Sequence, residues 1–291
     1  MFLDDSLILR YNQYHRHSIP ERSIRFRLLS RKSPYEKELR RLENKEAAWL
    51  ERRTAKKDPA LNRFLADKIP AGLQNTLNSA FFTAFETIFS RGGGIIDKTF
   101  SPKEAQKTYE INRCAAFIRP DKKNLRAFSK NARRTSTGNT ALSGAAGIGM
   151  GIFGVGLPDI PILVGFLLKT VYQIAVSFGY EYASDKERYF ILLLLEGAAA
   201  RGEHAITMEK TVDAFIRGET PEINPDSLKI QMRRTADALS ADLLYLKFIQ
   251  TIPIVGAAGG ISDIVCMRET ADFAEMKYRR RFYTEKERNL R

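Results

Sequence analysis

The chain has 291 residues, 44% of them hydrophobic, and carries 47 Lys/Arg against 34 Asp/Glu for a formal charge of +13. That is enough for one large domain or two small ones with a sizeable core, and two cysteines are too few for a disulfide framework. The charge is uneven: residues 10–57 hold fifteen Lys/Arg against six Glu, residues 119–134 seven against Asp121, and residues 277–291 seven against Glu285 and Glu287.

Three basic segments therefore decorate a mildly acidic remainder, which suits an anionic membrane leaflet or nucleic acid; plain solubility is the competing reading. Asp4 and Asp5 stand where a signal peptide needs positive charge, so no cleaved export signal is expected. Cys114 and Cys266 lie in separate apolar contexts and are expected to be buried, reduced thiols of a cytosolic protein.

In chain order, residues 1–34 are rich in Tyr, Arg and His without a period and read as a basic N-terminal arm. His15 and His17 lack further ligands nearby and read as a solvated pair, not a metal site. Ser33-Pro34 opens a helix with a thin apolar side of Leu39, Leu42, Trp49 and Leu50. Asp58-Pro59 closes it, and Glu36, Glu38 and Arg40 read as its solvated, ion-paired face. A short helix around Leu61–Leu65 follows, then a strongly amphipathic one through Leu73, Leu77, Phe81, Phe85 and Phe89, broken at Gly92-Gly93-Gly94. Ser101-Pro102 starts another that ends at Arg119-Pro120, and residues 121–134 form a basic bridge.

The bridge leads into Thr135–Leu168, whose only charged side chain is Asp159. Gly144, Gly147 and Gly151 share one helical face there and permit close backbone approach. Pro158 and Pro161 impose a break at Leu157-Pro158-Asp159-Ile160-Pro161, with Asp159 capping a helix that runs from Ile160 to about Phe178 and ends at Gly179. Next, Ser184-Asp185-Lys186-Glu187 has the capping-box pattern, and the run Ile191–Leu195 behind it is apolar all round, so that helix should be central. Short helix is expected near Met208–Ile216, and a longer one, capped by Asp226 or Ser227, through Leu239, Leu243 and Ile249. A second Pro/Gly stretch, Ile252 to Asp263, resembles the first in composition and is expected to pack near residues 144–157; helix then resumes to Tyr283. No alternating β-branched run is long enough for a sheet, so the fold class is all-α, a multi-helix single domain around a central Gly/Ala-rich helical hairpin.

Several of these features together resemble the EcsC family. They are the Tyr35–Trp49 helix with Asp58-Pro59 and Ile69-Pro70, the core Gly156-Leu-Pro-Asp-Ile-Pro161, and Gly179-Tyr180 followed by Glu187-Arg188. Ile252-Pro-Ile-Val-Gly-Ala-Ala-Gly-Gly260 and Tyr278-Arg-Arg-Arg-Phe282 complete the set, and the match covers about residues 35–288. The resemblance implies a helical bacterial protein tied to membrane transport and secretion, with an ABC transporter or another membrane protein as partner. It supplies no catalytic residues. Near Asp263 relatives are expected to carry a more Asn-like residue.

Gly149-Met-Gly-Ile-Phe-Gly154 fits a dinucleotide fingerprint only in letters, because no strand precedes it and a Pro break follows. P-loop, nucleophile-elbow and metal-ligand patterns are missing from the sequence, so no cofactor and no metal are expected. His204 reads as a surface residue. The candidates that remain for a ligand or structural role are Asp159, Asp263, Glu196, Pro158, Pro161, Gly256 and Gly260, with Glu196 expected to face Arg188 or Arg201. Capping satisfies the two aspartates; an ion or proton site at facing helix breaks is the other reading. Candidate membrane contacts are Arg40, Arg41, Arg52, Arg53, Lys56, Lys57, Arg279, Arg280 and Arg281. Residues 141–178 fit either a membrane-inserted hairpin or a soluble core.

The expected function is that of a non-enzymatic protein peripheral to the cytoplasmic face of the inner membrane, bound to anionic lipid through basic segments. The alternative is a hydrolase whose acids Asp159, Asp263 and Glu196 meet at the two Gly/Pro motifs. Nucleic acid is not an expected partner, for no recognised module is present.

Overall fold

The computed structural model describes residues 32–55, 72–90, 100–134, 160–220, 222–250 and 261–290. Within them the chain forms helices α1 (Pro34–Thr54), α2 (Leu73–Ser90), α3 (Pro102–Ile118), α4 (122–134), α5 (Ile160–Ser177), α6 (Asp185–Ala199), α7 (Glu203–Arg217), α8 (Pro225–Gln250) and α9 (Ile261–Leu290). No strand occurs among the described residues, and the fold class is all-α. Several readings lie outside the described residues: the N-terminal arm, the 61–65 helix, the glycine break at 92–94, the Gly/Ala-rich segment with Pro158 and Asp159, and the 252–260 stretch with Gly256 and Gly260.

Local chemistry sets the helix ends. Ser33, Ser101 and Ser184 each accept a hydrogen bond from the backbone N–H three residues on, and Pro34 and Pro102 occupy first-turn positions where no donor is needed. Pro161 sits exposed in the first turn of α5. That helix closes in a Schellman motif, Tyr180 N to Ala175 O and Gly179 N to Val176 O, both 3.0 Å. Gly179 supplies the required left-handed residue at φ +85°, and a Cβ there would meet the Tyr109 ring at 2.2 Å.

Three local readings change. Residues 122–134 are helical, with Leu125, Phe128 and Ala132 buried. Asp121 caps this helix through Asn124 N, 2.9 Å. The cap of α8 is Asn224, whose Oδ1 accepts from Ser227 N while Ser227 Oγ accepts from Asn224 N, both 2.9 Å. At α6 the capping box is half-made: Ser184 bonds Glu187 N, but Glu181 accepts from Ser184 N at 3.0 Å, leaving the Glu187 carboxylate for a distant partner.

α9 is the hub, packed against α1, α5, α6, α7 and α8. α6 is central as its all-apolar run requires, with Phe190 through Ala199 entirely buried. α2 lays its predicted stripe of Leu77, Phe81, Phe85 and Phe89 against α5 and α8. α5 is long and apolar enough to cross a membrane by length and composition alone, and 72% of it is buried inside the fold. Phe128 of α4 stacks with Phe178 after α5 and packs on Phe282 of α9, joining three elements around one ring.

Gly197 of α6 sits directly against α9, where an added Cβ would lie 2.6 Å from Phe273 Cε1. The other side of Phe273 faces Trp49 of α1, with ring centroids 4.5 Å apart. Gly197→Leu is therefore expected to overpack this contact and lower stability by about 1–3 kcal/mol, read as a fall in the urea or thermal midpoint. Gly197→Ala should likewise fail to show the gain of about 1 kcal/mol that replacing an interior helical glycine ordinarily brings.

Candidate functional site

The buried face of α1 runs Glu38, Leu42, Glu46, Trp49, Arg53, spaced four, four, three and four, so a single stripe interleaves charge with apolar side chains. It meets α9, whose sequence carries Glu269, Glu275, Lys277, Arg279, Arg280, Arg281 and Glu285. The result is a ladder of internal ion pairs along the hub.

Its centre is Lys277, with no exposed surface. The ammonium lies 3.2 Å from Glu46 Oε1 and 2.8 Å from Asp213 Oδ1, and it bonds Glu209. Those three carboxylates offer oxygens within 4.8 Å of one another, a spacing that would hold a metal ion, and here the lysine supplies the cation. Burial alone would depress the Lys277 pKa, but Glu46, Glu209 and Asp213 outweigh it and hold the group protonated above its usual range. Burial pushes Glu209 upward against the pull of Lys277, and its Oε2 has no hydrogen-bond partner among the described residues. Arg280 closes the cluster by gripping Glu46 with Nε at 2.8 and 2.9 Å from the two carboxylate oxygens.

Around this centre stand further clusters. Glu187 accepts from Tyr278 Oη at 2.6 Å and from Arg281 Nη1 at 2.8 and 3.0 Å. Arg281 lies 4.1 Å over the Tyr180 ring, and Tyr180 Oη donates to Glu285 at 2.7 Å. Burial raises the pKa of Glu187 despite Arg281, and drives Tyr278 well above its ordinary value. Glu275 gathers Lys45 at 3.0 Å, Arg133 at 3.3 Å and Arg279 at 3.4 Å; burial would raise its pKa, but these cations hold it low. Arg53 reaches Glu269 at 2.6 Å, beside Arg201, which bonds the buried Asp242 at 2.6 Å. Glu38 takes Arg126 at 3.0 Å and also Arg41.

These placements revise the candidate list. Arg53, Arg279, Arg280 and Arg281, expected at a membrane surface, turn inward onto carboxylates. Arg40, Arg41 and Arg52 are exposed, Arg40 pairing with Glu36 at 3.4 Å as expected; Lys56 and Lys57 lie outside the described residues. Glu38, read as part of the solvated face, is buried because Arg126 of α4 crosses over it. Cys266 is buried as expected, whereas Cys114 is exposed on α3. Glu196 is buried, but its partners are Gln231 at 2.5 Å and the half-exposed His204 at 3.1 Å, not Arg188 or Arg201. Asp159 and the side chain of Asp263 fall outside the described residues. Sequence reasoning missed Glu46, Lys277, Glu209, Asp213 and Glu275. The available signal was the register of Glu38 and Glu46 with Leu42 and Trp49.

Chemically the ladder pairs fixed charges with one another and buries them, which suits holding helices in register. The comparisons with known proteins bear on the same region. Residues 35–282, from the start of α1 to just past Arg281, match the EcsC protein family. The chain belongs to that family. It is also similar to Protein EcsC of Bacillus subtilis (strain 168), 23% identical over 195 residues, covering 64% of this chain and 79% of the relative. No solved structure matches. The EcsC match thus takes in both α1 and the part of α9 that carries the ladder.

Removing the ammonium from the centre of this EcsC-family fold leaves three crowded carboxylates with Arg280 alone. Lys277→Met is expected to cost about 3–5 kcal/mol near neutral pH. The raised pKa of Lys277 means its stabilisation is complete below its usual value of 10.5 and is lost only as pH rises past the folded value. The gap between wild type and variant should therefore be largest near neutrality. It should narrow as pH falls and Glu209, whose pKa burial already raises, takes up a proton. Urea titrations across pH 4–8 read both the size and the slope.

Proposed function

We propose that the protein is a non-enzymatic helical component that attaches peripherally to the cytoplasmic face of a bacterial membrane, where it supports a transport or secretion process. The observation that carries this reading is how the positive charge is divided. Buried cations among the described residues are neutralised by internal carboxylates, so the uncompensated positive charge of the described residues lies on exposed side chains. Lys107, Lys122, Lys123 and Lys130 face solvent with no carboxylate partner among the described residues. A cationic surface on a rigid, internally paired body is drawn to an anionic leaflet by long-range attraction. The transport or secretion setting rests on the family resemblance.

The inward turn of Arg53, Arg280 and Arg281 moves the electrostatic weight of this reading away from residues 277–291 and towards residues 119–134 and the exposed arginines of α1. Co-sedimentation with vesicles tests the reading. Binding is expected to grow with the fraction of phosphatidylglycerol. Raising the ionic strength from about 0.1 M to about 1 M shortens the screening length from about 10 Å to about 3 Å and should release most of the bound protein. Binding indifferent to both anionic lipid and salt would remove the electrostatic attachment.

A further inference from the structure

α3 carries three of the most exposed large apolar side chains among the described residues: Ile111 at 69%, Phe117 at 42% and Ile118 at 81%. Positions 107, 111, 114 and 118 are spaced four, three and four, so Lys107, Ile111, Cys114 and Ile118 share one solvent-facing side of the helix, with Phe117 at its edge. The opposite side packs on α5. Where α3 ends, the exposed Arg119, Lys122 and Lys123 follow directly. A wide, shallow depression of about 480 Å³ lined by Asp121, Lys122, Lys123 and Arg126 marks the start of α4.

The turn between the two helices is firmly built. Asn124 Nδ2 donates to Arg119 O at 2.8 Å and to Ala115 O at 3.3 Å, Asp121 Oδ1 caps Asn124 N at 2.9 Å, and Asp121 N bonds Arg119 O at 2.8 Å. An exposed apolar face, bordered by lysines with no carboxylate partner among the described residues, is therefore held in place by the fold. Apolar side chains exposed beside a basic rim match an interface that offers anionic headgroups above an apolar layer.

We propose that the α3–α4 corner is the surface that docks on the membrane: α3 lies along the headgroup boundary, Ile111, Phe117 and Ile118 enter the acyl layer, and Lys107, Arg119, Lys122 and Lys123 bind anionic headgroups. This inference rests on the membrane reading above and adds the site and orientation of attachment. The occupant is an anionic lipid leaflet, chosen because the positive rim complements it and Ile111 and Ile118 lie exposed on the same side of α3 as Lys107.

Cys114 provides the probe, being exposed on the proposed face, while the second cysteine, Cys266, is buried. The full chain labelled at Cys114 with a polarity-sensitive thiol-reactive fluorophore is mixed with phosphatidylcholine vesicles with or without about one-third phosphatidylglycerol. A blue shift on the anionic vesicles, and quenching by brominated acyl chains, is expected. In unlabelled protein, Ile111→Ser with Ile118→Ser, and separately Lys122→Glu with Lys123→Glu, should each lower vesicle partitioning about tenfold or more. Unchanged thermal melts confirm that these surface variants fold.

Wild-type protein that does not bind anionic vesicles overturns the membrane reading and this inference together. Wild-type binding with an aqueous Cys114 probe and undiminished partitioning of both double variants overturns the corner alone, leaving the membrane reading intact. A wild-type dimer that dissociates in Ile111→Ser with Ile118→Ser, with lipid binding unchanged, would assign the patch to a second copy of the chain and overturn the proposal likewise.

Discussion

An ammonium with no exposed surface has to be compensated where it sits, because the desolvation of an unpaired buried charge is too costly for a fold of ordinary stability. Lys277 meets that constraint with carboxylates from two other helices, Glu46 of α1 and Glu209 and Asp213 of α7. The pairing exists only when α1, α7 and α9 are docked at once. It also fixes their register. A one-turn slip of α1 along α9 would put Leu42 or Leu50 opposite Lys277 and take Glu46 away from both the lysine and Arg280. What such a centre contributes is selection of one arrangement among several that would bury similar apolar area.

The three consecutive arginines 279–281 show the same logic. Successive helical residues point about 100° apart, so a run that looks like a single basic patch fans out to three neighbours. Arg279 meets Glu275 on its own helix, Arg280 meets Glu46 of α1, and Arg281 meets Glu187 of α6 while covering Tyr180. Arg280 and Arg281 thus tether α1 and α6 to α9. Tyr283 adds a tether to α4, donating to Leu125 O at 2.9 Å. With so much of its charge engaged inside, α9 acts as a strut among the helices it touches.

That division connects stability to function. Internal pairing ties α1, α6 and α7 to α9, and the solvent-facing lysines of α3 and α4 have no carboxylate partner among the described residues. A surface held by backbone caps and by the Asn124 side chain presents its charge and its apolar tip together, without an ordering cost at the moment of contact. The fold thus separates two uses of the same residue types, inward for register and, in the proposed attachment, outward for anionic lipid.

Much of the architecture was legible from residues acting on near neighbours. Ser33, Ser101 and Ser184 with their following prolines or acids set helix starts, Gly179 set a stop, and the i+4 stripe of α2 and the all-apolar α6 announced which faces would be buried. These signals need only a few consecutive residues, since capping and amphipathic periodicity are local physics. The ionic ladder was not legible in this way. Glu38 and Glu46 look like solvated helix residues until Arg126 and Arg280 cover them, and Arg280 lies 234 positions from Glu46. Cys114 and Ile118 look like core residues until α3 turns that side away from α5. The sequence by itself determined where helices begin, where they stop and which of them must be central, because those properties depend on neighbours along the chain. Only the tertiary structure decided which charges are buried and which apolar groups are left in water, because burial depends on what other helices bring to the same place.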